Sequence, residues 1–304
     1  ISIPSWLLDI LLAFNIMVAL IILFNSLYAK EVLDMAAFPT MLLFTTIFRI
    51  SLNVSSTKMI LRDGYAGHVV ATFGEFVGGG NLVIGTIIFI VLIIVQFIVI
   101  NKGSERVSEV TARFTLDAMA GKQMAIDSDL NTGAITDKEA AERRKKLQQE
   151  NSFFGSMDGA TKYVKGDATA GLIITAINLV GGVIMGMMYR GQSVNEALST
   201  YAILTIGDGL CSQIPSLLIS LSTGILVTKA SSEGELGDEM VGQLFSIDRV
   251  LIMVGAALAF LGVLTPLPIY IFVPLGILLI VYGRKLKDKS GEATIEEMAE
   301  AEET

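Results

Sequence analysis

The chain holds a single cysteine, Cys211, and a single histidine, His68, among 304 residues. One thiol excludes a disulfide framework, and so few soft ligands exclude a conventional His/Cys metal centre, so no metal is expected. His68 stands alone in "GYAGHVV", away from any serine–histidine–aspartate arrangement. The segment "FVGGGN" (76–81) lacks the Lys-Ser/Thr of a phosphate-binding loop, and the pattern G-x-x-x-x-G-K-[ST] occurs nowhere. An enzyme is therefore not expected, and neither is a cofactor. Basic patches interleaved with aromatics are missing too, which argues against nucleic acid as a partner. Charge itself is scarce, at 17% of residues against about a quarter in soluble domains.

What fills the space is apolar: 52% of residues are hydrophobic and the mean hydropathy is +0.64, the balance of an all-α, polytopic membrane protein. The net charge of −8 is concentrated in the closing "GEATIEEMAEAEET", which reads as a solvated linker or a truncated end. The opening "ISIPSWLLDI" has neither an initiator Met nor a basic n-region, so no signal peptide is visible and an upstream segment is expected.

A bilayer core of ~30 Å takes ~20 helical residues. Candidate spans lie at 6–24, 36–56, 82–100, 168–189, 201–228, 250–267 and 269–283, with "TPLP" (265–268) expected to turn the chain between the last two. This divides the chain into spans in 1–100, a loop at 101–167, spans in 168–284, and the start of a linker at 285–304. Residues 101–167 carry 11 of the 22 basic residues, and "GRKLKDK" follows the last span. The positive-inside rule then puts the loop and the C-terminus in the cytoplasm and the N-terminus of this chain outside.

Three basic residues break that pattern within "FRISLNVSSTKMILRDG" (48–64). Either this is an external loop, or a helix continues past residue 56 with Arg49 and Lys58 at membrane depth. Charge there costs at least ~2.5–3.5 kcal/mol on insertion scales, so it persists where it faces protein or water. The fifth span, "YAILTIGDGLCSQIPSLLISLSTGILV", sets Asp208 between Gly207 and Gly209, with Pro215 downstream. This predicts a broken helix, in which Asp208 either caps a half-helix or acts as a protonatable carboxylate. Asp9, Asn15, Asn178 and Gln213 read as interhelical hydrogen-bonding residues, and Gly182-x-x-x-Gly186 as a close-packing face.

In the loop, Thr136-x-x-Glu139 is a capping box opening a solvated helix, with Glu139–Arg143 and Glu142–Lys146 as favourable i,i+4 pairs. Phe153, Phe154 and Tyr163 suit the headgroup level, with Lys162 and Lys165 beside acidic lipid. Asp167 opens the fourth span, either as its N-cap or, with Lys162 five residues earlier, as part of a proton-linked charge rearrangement. On residue chemistry alone an ion-coupled machine, a small-solute secondary transporter and a passive scaffold all stand.

Four stretches narrow this choice. "FPTMLLFTTIFRISLNVSSTK" (38–58), "RFTLDAMAGKQMAID" (113–127), "GSMDGATKYVKGDA" (155–168) and "LTIGDGL" (204–210) together resemble the FHIPEP family, the export-gate proteins of flagella and type III secretion systems. The resemblance runs over essentially the whole chain, and "LDMAAFPT" (33–40) is similar to the flagellar branch. Ala120 departs from the family's "D-G-M-P-G-K", which relaxes a turn without removing a charge.

The resemblance implies a homo-oligomeric ring in the bacterial inner membrane, working with other export-apparatus proteins. It implies that the proton or sodium motive force helps unfolded subunits across. It further implies eight spans followed by a cytoplasmic domain that docks chaperones and substrates, of which this chain would lack the first span and the domain. The family's functional charges fall on Asp117, Lys162, Asp167, Asp208, Lys58, Arg106 and Arg113, with ion-coupling or gating roles.

Overall fold

In the computed structural model, which describes residues 3–228, 242, 244–264 and 268–302, every regular element is helical. The all-α expectation holds among the described residues. The chain divides into two compact units, Ile1–Glu233 and Gly234–Thr304.

The first unit contains α1 (Ser5–Tyr28), α2 (Phe38–Asp63), α3 (His68–Gly78), α4 (Leu82–Val95), α5 (Lys102–Asn131), α6 (Asp137–Arg190) and α7 (Val194–Thr228). A 3-10 turn at Val32–Met35 joins α1 to α2, and a π-helical turn at Gln96–Asn101 joins α4 to α5. The second unit is a hairpin of α8 (Asp248–Leu264) and α9 (Ile269–Glu302), in which Gly255 and Gly276 let the two backbones approach closely. The "TPLP" turn falls largely outside the described residues.

Five helical stretches are long and apolar enough to cross a membrane: Ser5–Tyr28, Val32–Asp63, Asp137–Arg190, Val194–Thr228 and Ile269–Leu286. The pair His68–Gly78 and Leu82–Ile98 passes the same test together but is bent by 104°. The 17-residue α8 is slightly shorter than a full crossing needs.

Local chemistry explains most boundaries. Helix α2 takes Pro39 in its first turn, where a missing N–H costs nothing, and stops at Gly64 in the left-handed region. It therefore runs past residue 56, and 48–63 is helix rather than loop. The carboxylate of Asp9, on α1, caps α3 by accepting from the His68 and Val69 amides at 3.0 and 2.9 Å. Asn81 caps α4, its side chain accepting from Val83 and Ile84. The predicted capping box is present: Thr136 and Glu139 exchange hydrogen bonds at the start of α6.

Two expectations about breaks are corrected. Helix α7 is continuous through Gly207, Gly209 and Pro215. Its glycines serve close approach instead: a side chain at Gly207 would collide with the Val70 carbonyl, and one at Gly209 with the Phe89 ring. The break lies between α3 and α4, at Gly79–Asn81. Nor does Asp167 cap anything, because α6 passes through it without interruption. At 1.5 Å per residue this 54-residue helix is about 80 Å long, so its N-terminal half lies outside the membrane-crossing stretch.

The segment between the third and fourth spans is thus an α-helical hairpin, α5 against α6, and is built into the core. Phe153, Phe154 and Met157 are buried with Ala19 and Ile22 of α1, Phe38 and Leu42 of α2, and Leu226 of α7. The two phenylalanines therefore pack against protein rather than facing outward, whereas Tyr163 is exposed. Arg143 still acts favourably on Glu139, as expected, but the close ion pairs are longer-range ones, Arg143 with Asp129 and Lys146 with Glu31. These tie α6 to α5 and to the turn before α2. A second core cluster, around Leu12, Leu52, Ile60 and Tyr201, fills the other end of the bundle. There Gly182 and Gly186 accept the ring of Tyr201, which is the close-packing role expected of them.

Candidate functional site

Between these apolar clusters the bundle turns polar. On α2, Arg49, Asn53 and Ser56 recur at helical spacing; on α6, Asp167, Gly171, Thr175 and Asn178; on α7, Asp208, Ser212 and Ser216. Steps of three and four residues put each set on one helix face. The three faces meet. Arg49, Asn53, Ser56, Asp167, Asn178, Asp208 and Ser216 are all buried, and burial of this much polarity is tolerated only when it is paired.

The Arg49 guanidinium forms a buried ion pair with the Asp167 carboxylate, through Nη2 and Oδ2. Asp208, one layer further along, accepts a hydrogen bond from the Asn178 amide at 2.9 Å and lies beside Ser56. The Ser212 hydroxyl donates to Asn53 Oδ1 at 2.6 Å and sits 3.0 Å from the Asp208 carbonyl. A cavity of about 60 Å3 joins the two layers, lined by Arg49, Asn53, Gln96, Asp167, Asp208 and Ser212 among others. Water needs roughly 10–15 Å3 of such space, so the cavity is large enough to be wet. Arg49 Nη1 and Asp167 Oδ1 have no hydrogen-bond partner among the described residues, and both residues line it.

Three charged residues line this cavity, and their charges do not cancel. Arg49 and Asp167 neutralise one another; Asp208 is bonded to neutral groups. A buried, uncompensated carboxylate is expensive, so this arrangement is suited to a small cation that cancels the charge.

The sequence-derived residues fall in three places. Asp167 and Asp208 line the cavity. Arg113, Asp117 and Lys162 line a separate groove of about 250 Å3 between α5 and α6, together with Glu109 and Asp158. Arg106 and Arg113 both pair with Glu109 there, at 3.3 and 3.0 Å. Lys162 pairs with Asp158 at 2.6 Å and Asp167 with Arg49, so Lys162 and Asp167, read together in the sequence as parts of one charge rearrangement, do not pair directly: α6 turns the two onto different faces. Lys58, exposed on α2, joins neither group. The residues the sequence reading passed over are Asn53, Ser56, Ser212 and Gln96, and the partner role of Arg49. The recurrence of small polar residues every three or four positions through apolar helices was the available signal.

Comparison with known proteins decides the lineage. A match to the FHIPEP family covers residues 1–304. The chain belongs to the FHIPEP family. It is 52% identical to the flagellar biosynthesis protein FlhA of Bacillus subtilis over 306 residues, covering 99% of this chain and 45% of that one. Against the Salmonella typhimurium protein of the same name it is 49% identical, covering 88% of this chain and 40% of the relative. The low calcium response locus protein D of Yersinia pestis is 48% identical, with coverages of 94% and 41%. The chain thus spans less than half the length of these FHIPEP relatives. No solved structure matches it.

Proposed function

We propose that this chain is the membrane-embedded part of an export-gate subunit in the flagellar, type III protein secretion apparatus. It sits in the bacterial inner membrane, with the α5–α6 hairpin and the C-terminus in the cytoplasm as the placement of Lys and Arg requires. In the assembled machine it forms a homo-oligomeric ring beside other export-apparatus proteins. Substrates and chaperones dock on a domain outside this chain. The role is transport rather than enzymatic turnover. It is driven by the ion motive force.

The observation that carries the reading is the buried Arg49–Asp167 pair facing Asp208 across a polar cavity within an otherwise apolar bundle. Asp167 holds Arg49 in place and fixes the local charge. Among the described residues Asp208 has no cationic partner, and a cation entering the cavity cancels its charge. As that charge comes and goes, the guanidinium is drawn between two carboxylates, one on α6 and one on α7, so the helices carrying them shift relative to α2. Helix α6 continues as one rod from Asp167 into the hairpin, which carries the shift to the cytoplasmic side.

The relatives' names support the secretion context over a small-solute transporter. The test is secretion by cells carrying the full-length protein with Asp167→Asn. The neutral side chain removes the anion that Arg49 needs, and export is expected to fall at least about tenfold with the protein still in the membrane. Export at the wild-type rate would end this reading.

A further inference from the structure

We propose that Gln96 is the positioning residue through which the polar cavity governs the α5–α6 hairpin. The proposal rests on the ion-coupled reading above. It adds the element that links the ion site to the cytoplasmic helices on the α4 side.

Gln96 is buried at the end of the most apolar of the described helices, where an amide is costly unless it is bonded. Its Nε2 donates to the backbone carbonyl of Gln213 on α7 at 3.2 Å, two residues before Pro215. The same side chain lines the cavity with Arg49, Asp167 and Asp208. Its backbone opens the π-helical turn Gln96–Asn101, which runs directly into α5. One residue therefore touches the cavity, holds the α7 backbone and begins the irregular turn.

A π turn holds one residue more than an α turn, and it occurs mostly as a single turn at sites of function. Relaxing it to α geometry rotates everything downstream by about 100° and advances it by about 1.5 Å. This makes the turn a two-state element rather than a flexible joint, the kind of bistable device that transmits a local change over distance. While the Gln96 amide is held by Gln213, the π turn is maintained and α5 keeps its register against α6. When a cation enters the cavity and the polar groups around it re-form their bonds, the amide is released and α5 changes register. Gln96 touches no exported substrate, and its effect is exerted through α7 and the turn.

The test uses the full-length protein in its native membrane apparatus, measuring export and ion flux side by side. Gln96→Met keeps the volume and removes the donor. Loss of one buried hydrogen bond shifts a two-state balance roughly fivefold to tenfold, so export should fall by that factor and by more than ion flux falls in the same membranes. Gln96→Glu donates only when protonated, so its export relative to wild type should rise as pH falls. Arg49, Asp167 and Asp208 line the cavity beside it, and Lys102 stands over the neighbouring Phe97 ring. All four remain in both proteins, and the wild-type profile at the same pH subtracts their contribution.

Wild-type export by Gln96→Met, or export and flux falling in parallel, overturns the proposal. If Gln96→Met fails to reach the membrane, the Gln96→Glu profile decides: a rise towards acid supports the link, and a profile parallel to wild type overturns it. The outcomes are separable from those of the underlying reading. Export failing in Asp167→Asn but intact in Gln96→Met sinks the link alone, whereas intact export in Asp167→Asn sinks the ion-coupled reading.

Discussion

Replacing Arg49 with leucine separates what the buried ion pair contributes to folding from what it contributes to function. The guanidinium is 2% exposed and its carboxylate partner 5%. Removing one member leaves the other charged and desolvated, which costs about 3–5 kcal/mol in buried pairs. Neutral Asn53, Ser212 and Thr175 line the same cavity and offset only part of that. Arg49→Leu and Asp167→Leu should each lower stability by about that amount. The double variant removes both charges together and should recover most of the loss, because replacing a whole buried pair with apolar side chains is often neutral or better. Thermal unfolding of the purified full-length protein in lipid nanodiscs gives the four corners of the cycle. Secretion assays on the same variants should read differently: the double variant folds and does not export. Single variants within about 1 kcal/mol of wild type, or a double variant no more stable than either single one, would refute the pairing. An exporting double variant would show that the pair is scaffolding.

Two further outcomes follow from the packing and from the α6 start. Gly207→Val drives a side chain into the Val70 carbonyl, an atom that cannot swing away, and should destabilise the protein by at least about 1–3 kcal/mol in thermal unfolding; Gly159→Ala, on the same protein but in open space, should gain about 0.5–1 kcal/mol. The Glu139 carboxyl, outside the membrane-crossing stretch, is held below the usual carboxylate range mainly by the Thr136 backbone N–H and then by its hydroxyl. Its help to the start of α6 is therefore complete above the ordinary carboxylate pKa and lost as pH falls through the lowered value. Hydrogen exchange at residues 136–142 should accelerate in that acid window, and Glu139→Gln should flatten the dependence.

Much of the architecture was legible because it is set locally. Apolar runs of about 20 residues admit only helix in lipid, since no water is there to satisfy a strand edge or loop. The capping box was legible for the same reason: Thr136 and Glu139 are three residues apart and need nothing else. The Gly182–Gly186 face was readable as a packing face, although not that Tyr201 would fill it.

The misreadings share a cause. Gly207, Gly209 and Pro215 carry opposite meanings depending on what lies across from them, and the sequence around them is silent about Val70 and Phe89. Phe153 and Phe154 look interfacial until α1, α2 and α7 are seen to surround them. Arg49 and Asp167 are 118 positions apart, and nothing local selects Arg49 over Lys162 as the partner. By itself the sequence determined the helical class, five of the seven expected spans and the family, because hydropathy and motif are properties of neighbouring residues. Only the tertiary structure decided which charges meet, because an ion pair in a membrane bundle depends on the rotation of each helix about its axis. That rotation is settled by packing among helices distant in the chain.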